Sequence, residues 1–595
     1  MINKSIWIGL WLICHTGPAH AQLGMWETEY EKSGFTKTGR YDEAISLAKR
    51  LEATSDWVWF TSIGQSPQGR DIPLIVVDKD GLRSPEQAHA AGKAVVLVQA
   101  CIHPGESEGK DAGFMLIRDM VIMQQHTQLL DHVTLLFLPI FNVDGHERFG
   151  PFHRINQNGP EEAGWRTNAG NLNLNRDYLK ADAPEMKAWL AFFNQWMPDL
   201  FIDCHTSDGA DYQYVLTYSL EIYGNMDEDL TAWQRDQYIP FMEQNMFRDG
   251  FPVFPYVTFR RWFDPTSGLV RGIAPPMISQ GYTALRNRPG ILVETHMLKP
   301  YKPRVESTYA LIKHTLDFAG TYHKTLKALV AQADENAGRL YLHDGSFPVK
   351  WGVNYSDSTE IPFLGVGFSA TRSDLTGGTW FRYDGGPETL KLWLFDKHLA
   401  LNEVRLPAAY IIPPEWEDVI ERLRLHGIRM WRLSNEVEIA VSTYVCHDYQ
   451  WSGTPYEGRF RLNTRIREEQ GTERYPAGSM IVPMQQAAAR LIAYALEPQA
   501  DGSFLNWGFF NPVFEQKEYA ETYVMEKMAR DMIIADPALK AEFDAMKNAD
   551  PAFAQNQWAQ LNWFYSHTPY WDPKKDRYPV GRIMDDAILK ELGLE

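Results

Sequence analysis

Cysteine is scarce: four residues in 595, spread singly at positions 14, 101, 204 and 446. A small domain stapled by closely spaced cysteine pairs is therefore excluded. Basic clusters are missing too, since 58 Lys and Arg face 76 Asp and Glu for a net charge of −18, with no basic run anywhere. Nucleic acid and anionic membrane surfaces are excluded as partners on that balance. Long apolar runs are lacking as well. The apolar stretch at the N-terminus, Ile6 to Cys14, has nine residues, too few for a helix to span a hydrocarbon core of about 30 Å, and no later stretch is long enough.

What that short stretch does resemble is an export signal. Lys4 precedes it and Gly17-Pro18-Ala19-His20-Ala21 follows, a small-residue cleavage site. The expectation is cleavage after Ala21 and a periplasmic or extracellular protein. The three cysteines that remain are an odd number, so they cannot all pair. With 44% hydrophobic and 13% aromatic residues, the mature chain is long enough for two or more folded domains.

Strand and helix signals alternate through the first half. Residues 41–51 read as an amphipathic helix, and 58–63 and 72–77 as strands joined by the turn Gly64-Gln65-Ser66-Pro67-Gln68-Gly69-Arg70. Ala94-Val95-Val96-Leu97-Val98 is a buried strand, followed by Gln99-Ala100-Cys101-Ile102-His103-Pro104-Gly105-Glu106 and a helix from about 109 to 123. Further strands are expected at 132–139, 199–204 and 290–296, and helices at 184–196, 227–248 and 304–339. Residues 148–176 form a polar loop, long enough to suggest function. This predicts an α/β domain with a mixed central β-sheet, helices on both faces and a site along one sheet edge. From about residue 339 aromatic β-like runs take over, so 22–338 is read as a catalytic domain and 339–595 as a β-rich or α+β accessory domain. No internal repeat is present.

His103 and Glu106, three residues apart in a Pro-Gly turn past a buried strand, can face one divalent ion. About one His-x-x-Glu is expected by chance in a chain with 17 histidines, so further parts are required. A catalytic zinc takes three protein ligands and leaves one position open. His205, ending the strand 199–204, is the natural third ligand. Glu294, inside Ile291-Leu292-Val293-Glu294-Thr295, is a carboxylate in an apolar run, expensive to bury without a partner or a task, and it suits a general base. Cys101 and Cys204 each lie within two residues of a proposed ligand, which makes them neighbours or simply two small buried thiols.

The order His103-x-x-Glu106, His205, Glu294 resembles the zinc carboxypeptidase family, peptidase family M14, typified by carboxypeptidase A. The turn Gly64 to Arg70 is similar to that family's Gly-x-Ser-x-x-Gly-Arg, and Asn142-Val143-Asp144-Gly145 to its Asn-Pro-Asp-Gly. The resemblance implies one zinc ion on His103, Glu106 and His205, and a peptide substrate cut at its C-terminal residue by a zinc-activated water with Glu294 as base. Asn173-Leu174-Asn175-Arg176 resembles the segment that grips the terminal carboxylate, which implies that role for Asn175 and Arg176. Trp165-Arg166 implies an Arg166 that polarises the scissile carbonyl. The family's mobile tyrosine has its best candidate in Tyr282, twelve residues before Glu294. Arg286 and Arg288 nearby either select acidic side chains or hold the loop, and His296 reads as support for the site.

The resemblance covers about residues 35 to 335. Two other readings remain open: a related zinc amidohydrolase acting on peptidoglycan stem peptides or acylated amino acids, and a non-catalytic cell-wall binding module.

Overall fold

A computed structural model describes residues 24–342 and 345–594; the expected signal, residues 1–21, lies outside them. Nine strands of the first half carry the site: β1 (Val58–Gln65), β2 (Asp71–Val77), β3 (Ala94–Gln99), β4 (Val133–Leu138), β5 (Leu200–Ser207), β6 (Leu216–Ser219), β7 (Val253–Pro255), β8 (Leu269–Val270) and β9 (Gly290–His296). All but β8 join one mixed sheet in the order β1-β2-β4-β3-β5-β9-β6-β7. β4, β3, β5 and β9 run parallel at its centre, with antiparallel pairs on both flanks.

The chain leaves β3 to build β4 on one side, then returns to build β5 on the other. At such a reversal the loops leaving the strand ends diverge and open a crevice, the usual ligand position in open α/β sheets. Every residue of β3, β4 and β5 is buried. Successive strand residues point to opposite faces, so both faces are covered. The cover comes from α1 (Tyr41–Thr54), α2 (Glu108–Val121), α3 (Pro184–Trp196), α4 (Ser279–Leu285) and α5 (Tyr301–Thr321). α2 and α5 pack on each other and against β3 and β5, α1 and α3 against β1, and α4 against β5 and β9. Gly109 allows the first turn of α2 to close on β5, because a Cβ there would stand 2.4 Å from that of Cys204.

Three expected elements differ in extent. The helix 227–248 is interrupted by a π turn at Gln234–Tyr238; Pro240, which has no N–H to give to the preceding turn, follows it. The helix 304–339 is two helices, α5 and His323–Ala337, meeting at Tyr322 just after Gly320, a poor helix former. β5 runs on to Ser207, so His205 lies within the strand, and the polar Thr206 is kept in it by side-chain partners on Glu108 and Thr295.

The internal contacts divide the chain differently from the change of texture near 338. One unit runs to Leu406 and takes in Glu421–Arg429 and Met484–Gly502; the other comprises Pro407–Ile420, Met430–Pro483 and Ser503–Glu595. Residues 347–404 group with the first unit because β8 is a strand of a sheet with Thr359–Val366 and Pro387–Phe395, where Leu394 and Phe395 pair with Leu269 and Val270. The second unit has a six-stranded sheet containing the long hairpin Val437–Trp451 and Leu462–Tyr475. It also has a helical group whose core is Met525, Ala529, Leu561, Phe564 and Tyr565. No helix among the described residues is long and apolar enough to cross a membrane.

Candidate metal centre and active site

The turn after β3 is built by its own backbone and by a neighbour. Glu106 N–H donates to the His103 carbonyl at 2.8 Å, folding the two side chains to the same side. Beneath it, Asn142 Nδ2 donates to the Ile102 carbonyl and Asn142 Oδ1 accepts from Gly145 N–H. Asp144 receives Ser66 Oγ at 2.8 Å, Arg70 Nη1 at 2.7 Å and Gln68 N–H at 3.0 Å. The two short motifs at 64–70 and 142–145 are thus one clasp that holds the turn from below.

Three side chains converge above it. His103 Nδ1 and His205 Nδ1 lie 3.2 and 3.0 Å from Glu106 Oε2, and 3.3 Å from each other. These are the group of buried donors among the described residues able to hold a metal ion, all within 4.8 Å of one another. The outer nitrogens decide the tautomers. His103 Nε2 is 2.9 Å from Asn173 Oδ1, which also accepts from Asn175 N–H and is therefore an acceptor. His205 Nε2 is 2.8 Å from Asp203 Oδ2. Both imidazoles carry a proton on Nε2; His103 thereby presents an Nδ1 lone pair inward, and His205 does so once its Nδ1 proton, which faces Glu106, is given up, the arrangement that outer carboxylate and carbonyl partners give metal-binding histidines. Two nitrogens and one carboxylate oxygen are the donors of a catalytic zinc site, and the residues present fit that ion.

Charges are distributed accordingly. Burial lowers the His103 pKa to about 4, with Glu106 acting against it. Burial also opposes charge on His205, but Asp203 and Glu106 outweigh it and hold that imidazole well above its usual value. For Glu106, burial is outweighed by His103 and Arg154, and its pKa falls well below the carboxylate range.

Glu294 stands beside His205, directly paired with it across β5 and β9. Among the described residues no hydrogen bond or ion pair ties its carboxylate, and it opens onto the cavity. Burial pushes its pKa up to about 8, His205 pulls it down, and Glu106 and Asp208 push it up. The cavity, of ≈ 1270 Å³, contains the triad, Glu294, Arg166, Asn175 and Arg176 in one continuous lining. Arg166 Nη1 lies 3.3 Å from Glu106 Oε1 with its side chain 44% exposed. Asn175 is anchored through Ser279 N–H at 3.1 Å, and its Nδ2 sits 3.4 Å from His205 Nε2.

Tyr282 is not in this site. It lies on α4, fully buried among Tyr178, Trp189 and Phe193, with its hydroxyl 3.1 Å from His426 Nδ1 and from Arg286 Nη1. An amphipathic ring with a satisfied hydroxyl is a core residue, and distance along the sequence from Glu294 did not reveal that. Tyr256 lines the cavity instead; burial, then Glu294 and Asp208, raise its phenol well above the usual value. Arg286 and Arg288 select nothing: Arg286 holds Asn194 and the His426 carbonyl, and Arg288 holds Asp334 through two 3.0 Å contacts. His296 is buried outside the cavity lining, against Tyr212 and the Ala210 carbonyl. Cys101, Cys204 and Cys446 are buried free thiols.

Several site residues escaped sequence reasoning. Asp203 had a signal, an acid two residues before His205 in an apolar strand. Asn173 lay in the segment 173–176 without a role of its own, Arg154 had no signal beyond lying in a polar loop, and Tyr256 sits in the apolar, aromatic run 251–259. Ile361, Pro362 and Leu394, from the sheet that includes β8, form part of the cavity wall, which no local pattern announces.

Comparison with known proteins agrees with the geometry. The family model described as zinc carboxypeptidase matches residues 45–235, a segment containing all three metal-facing residues but ending before Glu294. Carboxypeptidase 2 of Trichophyton rubrum is 22% identical over 504 residues, covering 80% of this chain and 85% of that protein. Carboxypeptidase 2 of Trichophyton equinum is 22% identical over 502 residues, with the same coverage. Among solved structures, a metallo-carboxypeptidase from Burkholderia cenocepacia aligns with TM-score 0.36 and 17% identity, over 47% of this chain and 70% of that one. Carboxypeptidase A from Helicoverpa armigera aligns with TM-score 0.36 and 16% identity, over 53% and 81%. Residues 45–235 thus match the zinc carboxypeptidase family, and His103, Glu106 and His205 are placed to hold the metal ion of a zinc-dependent metallocarboxypeptidase, a hydrolase of peptide bonds.

Proposed function

We propose that this cavity removes C-terminal residues from peptides in an exported enzyme, with His103, Glu106 and His205 holding one zinc ion and Glu294 as general base. The observation that carries it is the single cavity in which the triad meets an untied carboxylate and two arginines. When bound, zinc supplies Lewis acidity and eases the ionisation of water. Glu294 accepts a proton on its free carboxylate oxygen and returns it to the departing amine. Arg166 exchanges its 3.3 Å contact with Glu106 for the scissile carbonyl oxygen, where its charge steadies the developing negative charge. Arg176, backed by Asn175, binds the terminal carboxylate through its planar guanidinium.

The carboxylate grip is tested with a blocked-amine dipeptide and its C-terminally amidated twin. Losing a charge-assisted hydrogen bond costs about 1.5–3 kcal/mol, so the amide is expected to react roughly 10- to 100-fold more slowly in kcat/KM. Equal rates would remove Asn175 and Arg176 from that role and favour a general amidohydrolase. Export is supported by Lys4, Ile6 to Cys14 and Ala19-His20-Ala21. N-terminal sequencing of the mature protein is expected to begin at Gln22, and an intact Met1 would refute it.

A further inference from the structure

Glu221, just past the end of β6, is a buried carboxylate that no cation pairs with among the described residues. Its partners are backbone donors from two places. Oε1 accepts Tyr223 N–H at 2.9 Å and faces Asn225 N–H at 3.5 Å, both on the chain leaving β6. Oε2 accepts Ala274 N–H at 3.3 Å, 53 residues later, in the loop between β8 and α4. We propose that Glu221 is a positioning residue that ties these two segments into one wall, and that the wall sets how well the cavity holds the side chain of the departing residue. The inference rests on the carboxypeptidase reading above.

Both segments line the cavity, with Leu220, Ile222 and Tyr223 from one and Ile273, Ala274 and Ile278 from the other. Where the wall stands relative to substrate follows from the next residue in the chain. Ser279 N–H holds Asn175, so the loop ends beside the side chains assigned to the terminal carboxylate. The side chain on the same Cα of the substrate then meets the wall, and its aliphatic residues favour a large apolar group. The loop rests on the first turn of α4, where a Cβ at Gly281 would stand 2.2 Å from the Pro275 carbonyl oxygen and 2.6 Å from that of Ala274. At the loop's start the Arg271 side chain bonds to Tyr223. Further on, Pro275 and Pro276 have no N–H to give, so the Ala274 N–H is the last donor ahead of them. An ionised carboxylate suits the tie because both of its oxygens accept. Glutamine keeps the size but has one acceptor: whichever segment takes the oxygen, the other brings its N–H against an amide donor.

The test uses the full-length protein and two blocked-amine dipeptides, one ending in leucine and one in alanine. Burial raises the Glu221 pKa to about 7 against the pull of the backbone donors, so the comparison is made on the alkaline side of neutrality, where the carboxylate is ionised. Wild type is expected to favour leucine. In Glu221→Gln, KM for the leucine substrate should rise about 10-fold, the scale of one hydrogen bond, with kcat unchanged, as for a loss of binding alone. The alanine substrate should change by a far smaller factor. Glu221→Asp keeps the charge but is one methylene too short to reach both segments; it should show the same selective loss, and it decides if Glu221→Gln does not fold. Wild-type KM and preference in a folded variant would overturn the proposal. So would an equal fall in kcat on both substrates, which is what a residue that only stabilises the fold would give, or a wild type that does not favour leucine. A wild type that cleaves neither dipeptide would instead sink the carboxypeptidase reading itself.

Discussion

Glu294→Gln is expected to bind one zinc ion as the wild type does and to hydrolyse peptides about 10²- to 10⁴-fold more slowly, the span of general base catalysis. The substitution keeps shape and removes only the ability to take a proton. Glu294 is suited to show so clean an effect because no hydrogen bond or ion pair among the described residues depends on its carboxylate. A buried acid raised to about 8 is largely protonated at neutral pH, which is the wrong state for a base. A dication in the neighbouring triad favours the ionised form and lowers that value. The sign follows: kcat/KM rises as pH climbs through the Glu294 pKa, with a midpoint below 8, and the rise disappears in Glu294→Gln. Metal analysis and kinetics on one preparation check both halves, and full activity in the variant would end the assignment.

His205→Ala should lose zinc on dialysis against metal-free buffer. Disturbing outer partners of a metal ligand already costs about 10- to 100-fold in affinity, so removal of the ligand itself should exceed that. The wild-type site should also show a proton cost. Asp203 and Glu106 together, against burial, keep His205 charged above its ordinary pKa, whereas a metal requires the Nδ1 lone pair. Binding at neutral pH therefore expels a proton, and zinc affinity weakens as pH falls, by about tenfold per pH unit for one proton. Competition with a chelator across pH measures this in wild type, and undiminished zinc in His205→Ala would remove His205 from the site.

The three metal-facing residues and Glu294 could be picked out in the sequence because each sits in local order: His103 and Glu106 in a turn after an apolar strand, His205 on another, Glu294 as the one acid in a third. Hydrophobic runs mark such strands whatever surrounds them. What failed was anything decided at a distance. Tyr282 has the composition of a site residue, but its hydroxyl belongs to His426, 144 residues later. Arg154 was one polar residue in a polar loop, and only the fold aims it at Glu106. The texture change near 338 is real, since aromatic β-runs do begin there, but texture does not say which earlier strand they pair with.

That pairing limits how the enzyme can be taken apart. β8 lies between the strands of the main sheet in sequence yet belongs to the sheet formed with Thr359–Val366 and Pro387–Phe395, and Ile361, Pro362 and Leu394 face the substrate cavity. A chain truncated at 338 would keep every residue assigned to the chemistry while losing a side of the vessel in which the chemistry is done. Modularity here is therefore a property of the sequence's appearance rather than of the working protein. A minimal hydrolase cut from this chain has to retain the later strands.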